Sequence, residues 1–244
     1  MDIWILGLGY TGKHLWGSLN LLAYKVQACS THSKYNTSII GNIGEIKTVQ
    51  LLLSQSTPDR VISTIPPDPS HFELYRIWLS LGVKVLLLGS TGMYERTGPL
   101  LTETGKDKEE SRVKLEREFL QAGGQVLRLS GIYGPGRNPV GWFKNRTPED
   151  PIWEEEINLI SVGDISRFIQ EWILFPNNWK ILILSDGALH SRREVVEYII
   201  ESKIPKERTT WKGTHIQSLL LPQYYPKFKL SNWLEEMDAL KSRH

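Results

Sequence analysis

The residues with the plainest chemical potential stand near the N-terminus. Gly7-Leu8-Gly9-Tyr10-Thr11-Gly12 is a G-x-G-x-x-G run between the apolar stretch Ile3-Trp4-Ile5-Leu6 and a helix-like segment. In that context the first glycine permits a tight turn. The second lets a pyrophosphate approach the backbone, and the third lets helix and strand pack closely. Exposed N–H groups and the positive helix end then hold the anion. A dinucleotide is the expected ligand, with Gly7, Gly9, Tyr10, Thr11 and Gly12 around it. The competing reading is a glycine-rich turn with no ligand.

About 20 residues on, a site for NAD usually offers an acid to the ribose 2′-hydroxyl. Here the window holds Thr31, His32, Ser33 and Lys34, and the next acid is Glu45. Lysine and hydroxyls suit a 2′-phosphate that a carboxylate would repel, so NADP(H) is favoured over NAD(H). The alternative is that Lys34 only solvates a loop. Cys29 is expected to fill a core gap rather than do chemistry. Ser90 and Thr91 close the strand-like run 83–88, a place where α/β proteins bind ligands; hydroxyls there also cap turns. Arg137 is a candidate for an anionic group such as phosphate, because its planar fork binds such groups bidentately.

These groups need a scaffold. Apolar strand-like runs at 3–6, 24–29, 59–65, 83–88 and 126–129 alternate with helix-like segments at 12–22, 49–54, 71–81 and 106–122. Such alternation predicts an α/β fold, a doubly wound parallel Rossmann sheet. Past Gly131 prolines and glycines break the pattern; a helix is expected at 164–174, a strand at 180–184 and a helix at 192–202. We expect residues 1–130 to form the dinucleotide-binding part. Residues 131–244 complete the sheet and add a small irregular substrate lobe, in one integrated domain. Six of the nine tryptophans lie beyond Gly131, which suggests that large side chains hold that lobe together.

Composition narrows the function classes. The chain has 244 residues, a formal net charge of +2 and mixed charges without a basic stripe, which argues against nucleic acid. One cysteine excludes an internal disulfide, and the six histidines show no H-x-x-x-H spacing, so no metal site is expected. No apolar run approaches membrane length, and the start has no secretory leader pattern, so a cytoplasmic protein is the default.

Several motifs in order resemble the extended or atypical short-chain dehydrogenase/reductases, the NAD(P)-dependent epimerase/dehydratase group. After the glycine loop, Gly89-Ser90-Thr91-Gly92-Met93-Tyr94 is similar to S-S-T-x-V-Y-G, and Leu101-Thr102-Glu103 to V-T-E. Arg128-Leu129-Ser130-Gly131-Ile132-Tyr133-Gly134-Pro135-Gly136-Arg137 resembles R-x-x-x-I-Y-G-P-G-R. Ile160-Ser161-Val162-Gly163-Asp164 and Ser185-Asp186-Gly187 resemble later family segments. The resemblance implies hydride transfer on a nucleotide-sugar or another small polar metabolite. A Ser/Thr would orient the oxygen, and a Tyr-x-x-x-Lys pair would work on one helix face.

The chain departs from that pair. Lys114 stands at the lysine position, where it would bind the ribose, but Glu110 stands at the tyrosine position. Glu110 itself, Tyr94 or Tyr133 are then candidates for the proton transfer. The alternative is an NADP(H)-binding protein without turnover, in a sensing or regulatory role. The plainest reading is an i, i+4 ladder of Glu110, Lys114 and Glu118 on a solvated helix. A Rossmann domain that is purely structural is disfavoured by the intact glycine loop. Gly41-Asn42-Ile43 replaces a family segment with an acid facing adenine, and Thr64-Ile65-Pro66-Pro67 replaces a small-residue run; Thr64 and Pro66 remain placed for cofactor contact. The family often forms homodimers, which the sequence leaves open.

Overall fold

The computed structural model describes residues 1–22, 24–31, 38–96, 98, 100–143, 145, 147, 153, 155–201 and 214–241. Its strands are β1 (Asp2–Leu6), β2 (Lys25–Ser30), β3 (Ser38–Ile40), β4 (Arg60–Ser63), β5 (Lys84–Ser90), β6 (Leu100–Leu101) and β7 (Gln125–Leu129). The chain continues with β8 (Gly131–Tyr133), β9 (Glu156–Ile157), β10 (Leu159–Ser161), β11 (Ile181–Leu184), β12 (His190–Ser191) and β13 (His215–Ile216). The helices are α1 (Tyr10–Asn20), α2 (Ile46–Leu53), α3 (Phe72–Ser80), α4 (Ser111–Gln121) and α5 (Val140–Phe143). After these come α6 (Val162–Leu174), α7 (Arg192–Glu201), α8 (Leu221–Tyr224) and α9 (Trp233–Lys241).

Seven strands form one sheet in the order β11-β7-β5-β4-β1-β2-β3, and every pairing in it is parallel. The doubly wound fold expected from the alternation is therefore present. The two-residue period of a strand explains its three layers. On β1, Ile3 and Ile5 face a core built with α1 and α6, while Trp4 and Leu6 face a second core with α2, α3 and α4. Among the described residues, no helix is long and apolar enough to cross a membrane.

The segment beyond Gly131 carries more regular structure than its prolines suggest. Besides β11, it holds two short strand pairings, β8 with β10 and β9 with β12, a third strand β13 that pairs back with β6, and the helices α7 and α9, which pack on each other around Val195, Ile199, Met237 and Leu240. The tryptophans divide differently from the expectation. Trp172 and Trp179 belong to the main core against the sheet, and Trp142 and Trp233 pack at the edge of the lobe core. Trp211 lies outside the described residues. Helix propensity is weak in the lobe, and packing against a neighbour supplies what local sequence does not.

Candidate functional site

The chain order reverses between β1 and β4, adjacent strands whose carboxyl ends open a crevice. The glycine loop lies there. Gly7 has φ +92°, a left-handed conformation, and a Cβ on it would meet Ile65 Cγ2 at 2.5 Å. A Cβ on Gly12 would stand 2.1 Å from the Gly7 carbonyl oxygen. Both glycines are demanded by the protein's own packing. Gly9 is different: a Cβ there would meet nothing within 4 Å. Gly9 is the N-cap of α1 and has no side-chain cap bond. Open space thus adjoins the start of a helix whose N-cap residue makes no side-chain cap bond, a cradle that fits a phosphate.

The loop borders a cleft of about 1060 Å³, also lined by Thr31, Asn42, Ile43, Pro66 and, from α4, Lys114. Thr11 is buried in the first turn of α1. Thr64 does not line the cleft; its hydroxyl donates to the carbonyl oxygens of Gly7, at 2.8 Å, and Leu6, at 3.3 Å, so it braces the loop. The Cys29 thiol donates to the Gly41 carbonyl at 3.5 Å, and burial pushes its pKa to about 11, as suits a packing role. His32, Ser33 and Lys34, which carry the NADP(H) expectation, lie outside the described residues.

A second cleft, of about 730 Å³, lies at the carboxyl ends of β5 and β7 and reaches the lobe. Ser90 and Thr91 both line it. Each hydroxyl also serves the backbone: Ser90 Oγ accepts from the Gly92 N–H at 3.1 Å, and Thr91 Oγ1 donates to the Leu129 carbonyl at 3.3 Å. Arg137 lines this cleft too, and its guanidinium lies 5.5 Å from the centre of the Tyr10 ring. Tyr10, the first residue of α1, therefore touches a residue of the second cleft. Its hydroxyl is buried with no hydrogen-bond partner; burial raises its pKa and the Arg137 charge opposes that rise.

The helix expected over 106–122 begins only at Ser111. Glu110 is its N-cap residue, with extended backbone, and its carboxylate lies 3.7 Å from Lys108. The ladder is not formed: Glu110 pairs with Lys108 rather than Lys114, and Glu118 pairs with Arg76 at 3.8 Å. The Lys106–Lys108 stretch instead bonds back to the segment after β5, through Glu95 N–H to the Lys106 carbonyl and Lys108 N–H to the Met93 carbonyl. Those bonds compete with helix for the same backbone groups.

The other two candidate proton donors are buried. Tyr94 is 1% exposed, lines neither cleft, and is pushed up to about 12 by burial, against the opposing charge of Arg128. Tyr133 is 1% exposed, and burial, then the charges of Asp186, Glu236 and Asp164, push its pKa well above the phenol range. A phenol so shifted is a poor source of phenolate at neutral pH. The glycine loop and Lys114 share one cleft, and Ser90, Thr91 and Arg137 share the other.

A buried ion network that sequence reasoning missed joins α4, which lines the first cleft, to β7, whose Leu129 lines the second. Arg128 on β7 is fully buried and donates through Nε and Nη2 to Glu116 of α4, at 2.9 and 2.6 Å. Its Nη1 pairs with Asp107, and its guanidinium lies 4.3 Å above the Tyr94 ring. Burial alone would lower the pKa of Arg128; the bonds and charges of Asp107 and Glu116 outweigh it. The network ties α4, which carries Lys114, to β7, and Gly89 packs on it: a Cβ there would meet Glu116 Oε1 at 2.7 Å. An arginine inside the apolar run Val126-Leu127-Arg128-Leu129 was the available signal, since a buried charge requires a partner. Arg96, Arg192 and His71 are among the further cleft residues that sequence reasoning did not single out.

No family model matches the chain, and no curated protein matches it in sequence. Solved structures do match. A structure described as a putative NAD-dependent epimerase/dehydratase from Methylobacillus flagellatus is 18% identical, with a TM-score of 0.82 over 99% of this chain and 98% of that one. The Bordetella bronchiseptica enzyme WbmH, in complex with NAD+, is 14% identical, with a TM-score of 0.78 over 100% and 98%. The UDP-glucose 4-epimerase of Thermus thermophilus, in complex with NAD, is 18% identical, with a TM-score of 0.75 over 99% and 98%. The chain therefore has the fold of epimerase/dehydratase-type proteins.

Proposed function

We propose that the chain is an NAD(P)-dependent oxidoreductase or epimerase-like enzyme acting on a nucleotide-sugar or another small polar metabolite. The observation that carries this reading is Gly9. It offers an uncapped helix end and open space in the crevice where the strand order reverses. Gly9, Tyr10 and Thr11 would hold the pyrophosphate, Thr31, Asn42, Ile43 and Pro66 the adenosine half, and Lys114 the nicotinamide ribose. The bound dinucleotide would supply hydride acceptance and return. Ser90 and Thr91 would hold the substrate oxygen in the second cleft, and Arg137 would bind a phosphate of the substrate. Residues 1–130 would then hold the cofactor and present Ser90 and Thr91 to a substrate that residues 131–244 help enclose. NADP(H) is the preferred form on the strength of His32, Ser33 and Lys34 and the missing acid.

A second reading, cofactor binding without turnover, is favoured by Glu110, which turns to Lys108 at the tyrosine position. One experiment addresses both. Millimolar NADPH should raise Tm, and more than NADH does; no rise with either overturns dinucleotide binding. With an active substrate found by NADPH absorbance, Lys114→Ala should lose most of the rate and weaken NADPH binding about tenfold, roughly one lost charge-assisted contact. Full activity in that variant would reject the role of Lys114. No turnover across nucleotide-sugars and sugar phosphates, with tight NADPH binding, would favour the second reading. His32→Asp with Lys34→Asp should move preference towards NADH.

A further inference from the structure

Tyr10 connects the glycine loop to the second cleft. It follows the N-cap Gly9 as the first residue of α1, so its backbone belongs to the loop. Its ring touches the turn after β8, residues 134–137, which carries Arg137 to the second cleft. Two backbone bonds close that turn: Gly134 N–H donates to the Arg137 carbonyl at 3.2 Å, and Arg137 N–H to the Gly134 carbonyl at 2.9 Å. Gly134 is buried, has φ +149° and packs on the tip of Tyr10. A Cβ on it would lie 2.8 Å from the Tyr10 hydroxyl and 2.7 Å from Val162 Cγ1. The turn therefore rests on the first residues of two helices, α1 and α6. On its own helix the Tyr10 ring packs against His14, with ring centres 4.8 Å apart.

Arg137 has little else to hold it. It is exposed, and among the described residues no carboxylate lies within ion-pair distance of it. Its guanidinium lies over the Tyr10 ring, 5.5 Å from the centre. A long, solvated arginine samples many rotamers, and an anion that binds it loses affinity to that freedom. A flat ring packed on His14 and Gly134 restricts the guanidinium beforehand and steadies the backbone from which it springs. The Tyr10 hydroxyl is buried without a hydrogen-bond partner, so polar bonding is not what the tyrosine supplies. We propose that Tyr10 is a positioning residue for Arg137: its ring sets the turn after β8 and aims the guanidinium into the second cleft. The first residue of the cofactor helix thereby registers one cleft against the other. The inference rests on the reading of Arg137 as an anion-binding residue of that cleft.

The test is a double-mutant cycle read by calorimetry, with inorganic phosphate titrated into NADPH-saturated protein. NADPH occupies the glycine loop, so phosphate reports the second cleft. Failure to bind NADPH, seen before any phosphate is added, would refute the underlying reading. Phosphate binding that ignores Arg137→Gln would remove the role of Arg137 and this inference with it. Given that dependence, Tyr10→Leu should weaken phosphate about threefold to fivefold, the scale of one exposed cation–π contact. In the Arg137→Gln background the same change should have no further effect. A defect in folding or cofactor seating would instead lower affinity in both backgrounds. Tyr10→Met, longer but without a flat face, should repeat the Tyr10→Leu result. Tyr10→Phe keeps the ring and should restore phosphate affinity, with Tm equal or higher because an unpaired buried hydroxyl is gone. Equal weakening in both backgrounds, or phosphate affinity that survives loss of the ring, would overturn the positioning role and leave Arg137 as the anion receptor.

Discussion

The two clefts are built in opposite ways. The first is bordered by a glycine motif of six consecutive positions, and two of its three motif glycines are required by packing, Gly12 against the Gly7 carbonyl and Gly7 against the Ile65 side chain. The second draws Ser90, Arg96, Arg137 and Arg192 from four separate segments, and its chemistry depends on how those segments are held. A site made by one turn is robust and readable. A site made by assembly depends on buried connectors such as Arg128, which joins β7 to α4.

The sharpest way to break this contrast is to cut the connector. Arg128→Met leaves the buried Glu116 without its hydrogen-bonded cation, while Asp107 keeps only the more exposed Arg117 at 3.5 Å. A loss of about 3–5 kcal/mol is expected, a fall in Tm on the order of 10 °C for a chain of this size. An unchanged Tm would show that the network is not what holds α4 to β7. Arg128→Lys should recover only part, since one ammonium cannot serve both carboxylates as a fork does.

The next effect separates the glycines. Gly12→Ala places a methyl on the Gly7 carbonyl and should destabilise by about 1–3 kcal/mol, with loss of NADPH binding. Gly9→Ala has room for its methyl, so Tm without cofactor should hold while NADPH binds about tenfold less tightly. Equal Tm losses in the two variants would contradict the division between packing glycines and a ligand glycine.

The smallest effect concerns the far end of the first cleft. His71 is buried there, and burial holds its pKa below the ordinary 6.5. Between the folded value and 6.5 the unfolded chain binds more protons. His71 therefore favours folding fully above pH 6.5, and that contribution is lost as pH falls through the folded value. Urea midpoints should decline on acidification through this window, and His71→Phe should flatten the decline. The same slope in the variant would assign it to another group.

Local pattern carries much of the fold because strands and helices advertise their period. β1, β5 and β7 are read from continuous apolar runs, and α1 from its glycine loop. Legibility fails where partners are distant. The start of α4 escapes local reading because residues 106–108 spend their backbone bonds on the segment after β5, a contact with no local signature. Tyr94 and Tyr133 are plausible acids by motif, and their burial is a property of packing.

The sequence alone determined the doubly wound sheet and the glycine loop between its first strand and helix. Those features arise from neighbours in the chain: strand period, turn conformation and helix start. Only the tertiary structure decided that Glu110 stands at a helix start beside Lys108, that Arg128 bridges β7 and α4, and that Arg96, Arg137 and Arg192 line one cleft. The physical reason is range. A turn is specified by a few adjacent dihedrals, whereas a buried charge or a shared cavity is specified by whichever distant segment folding brings against it.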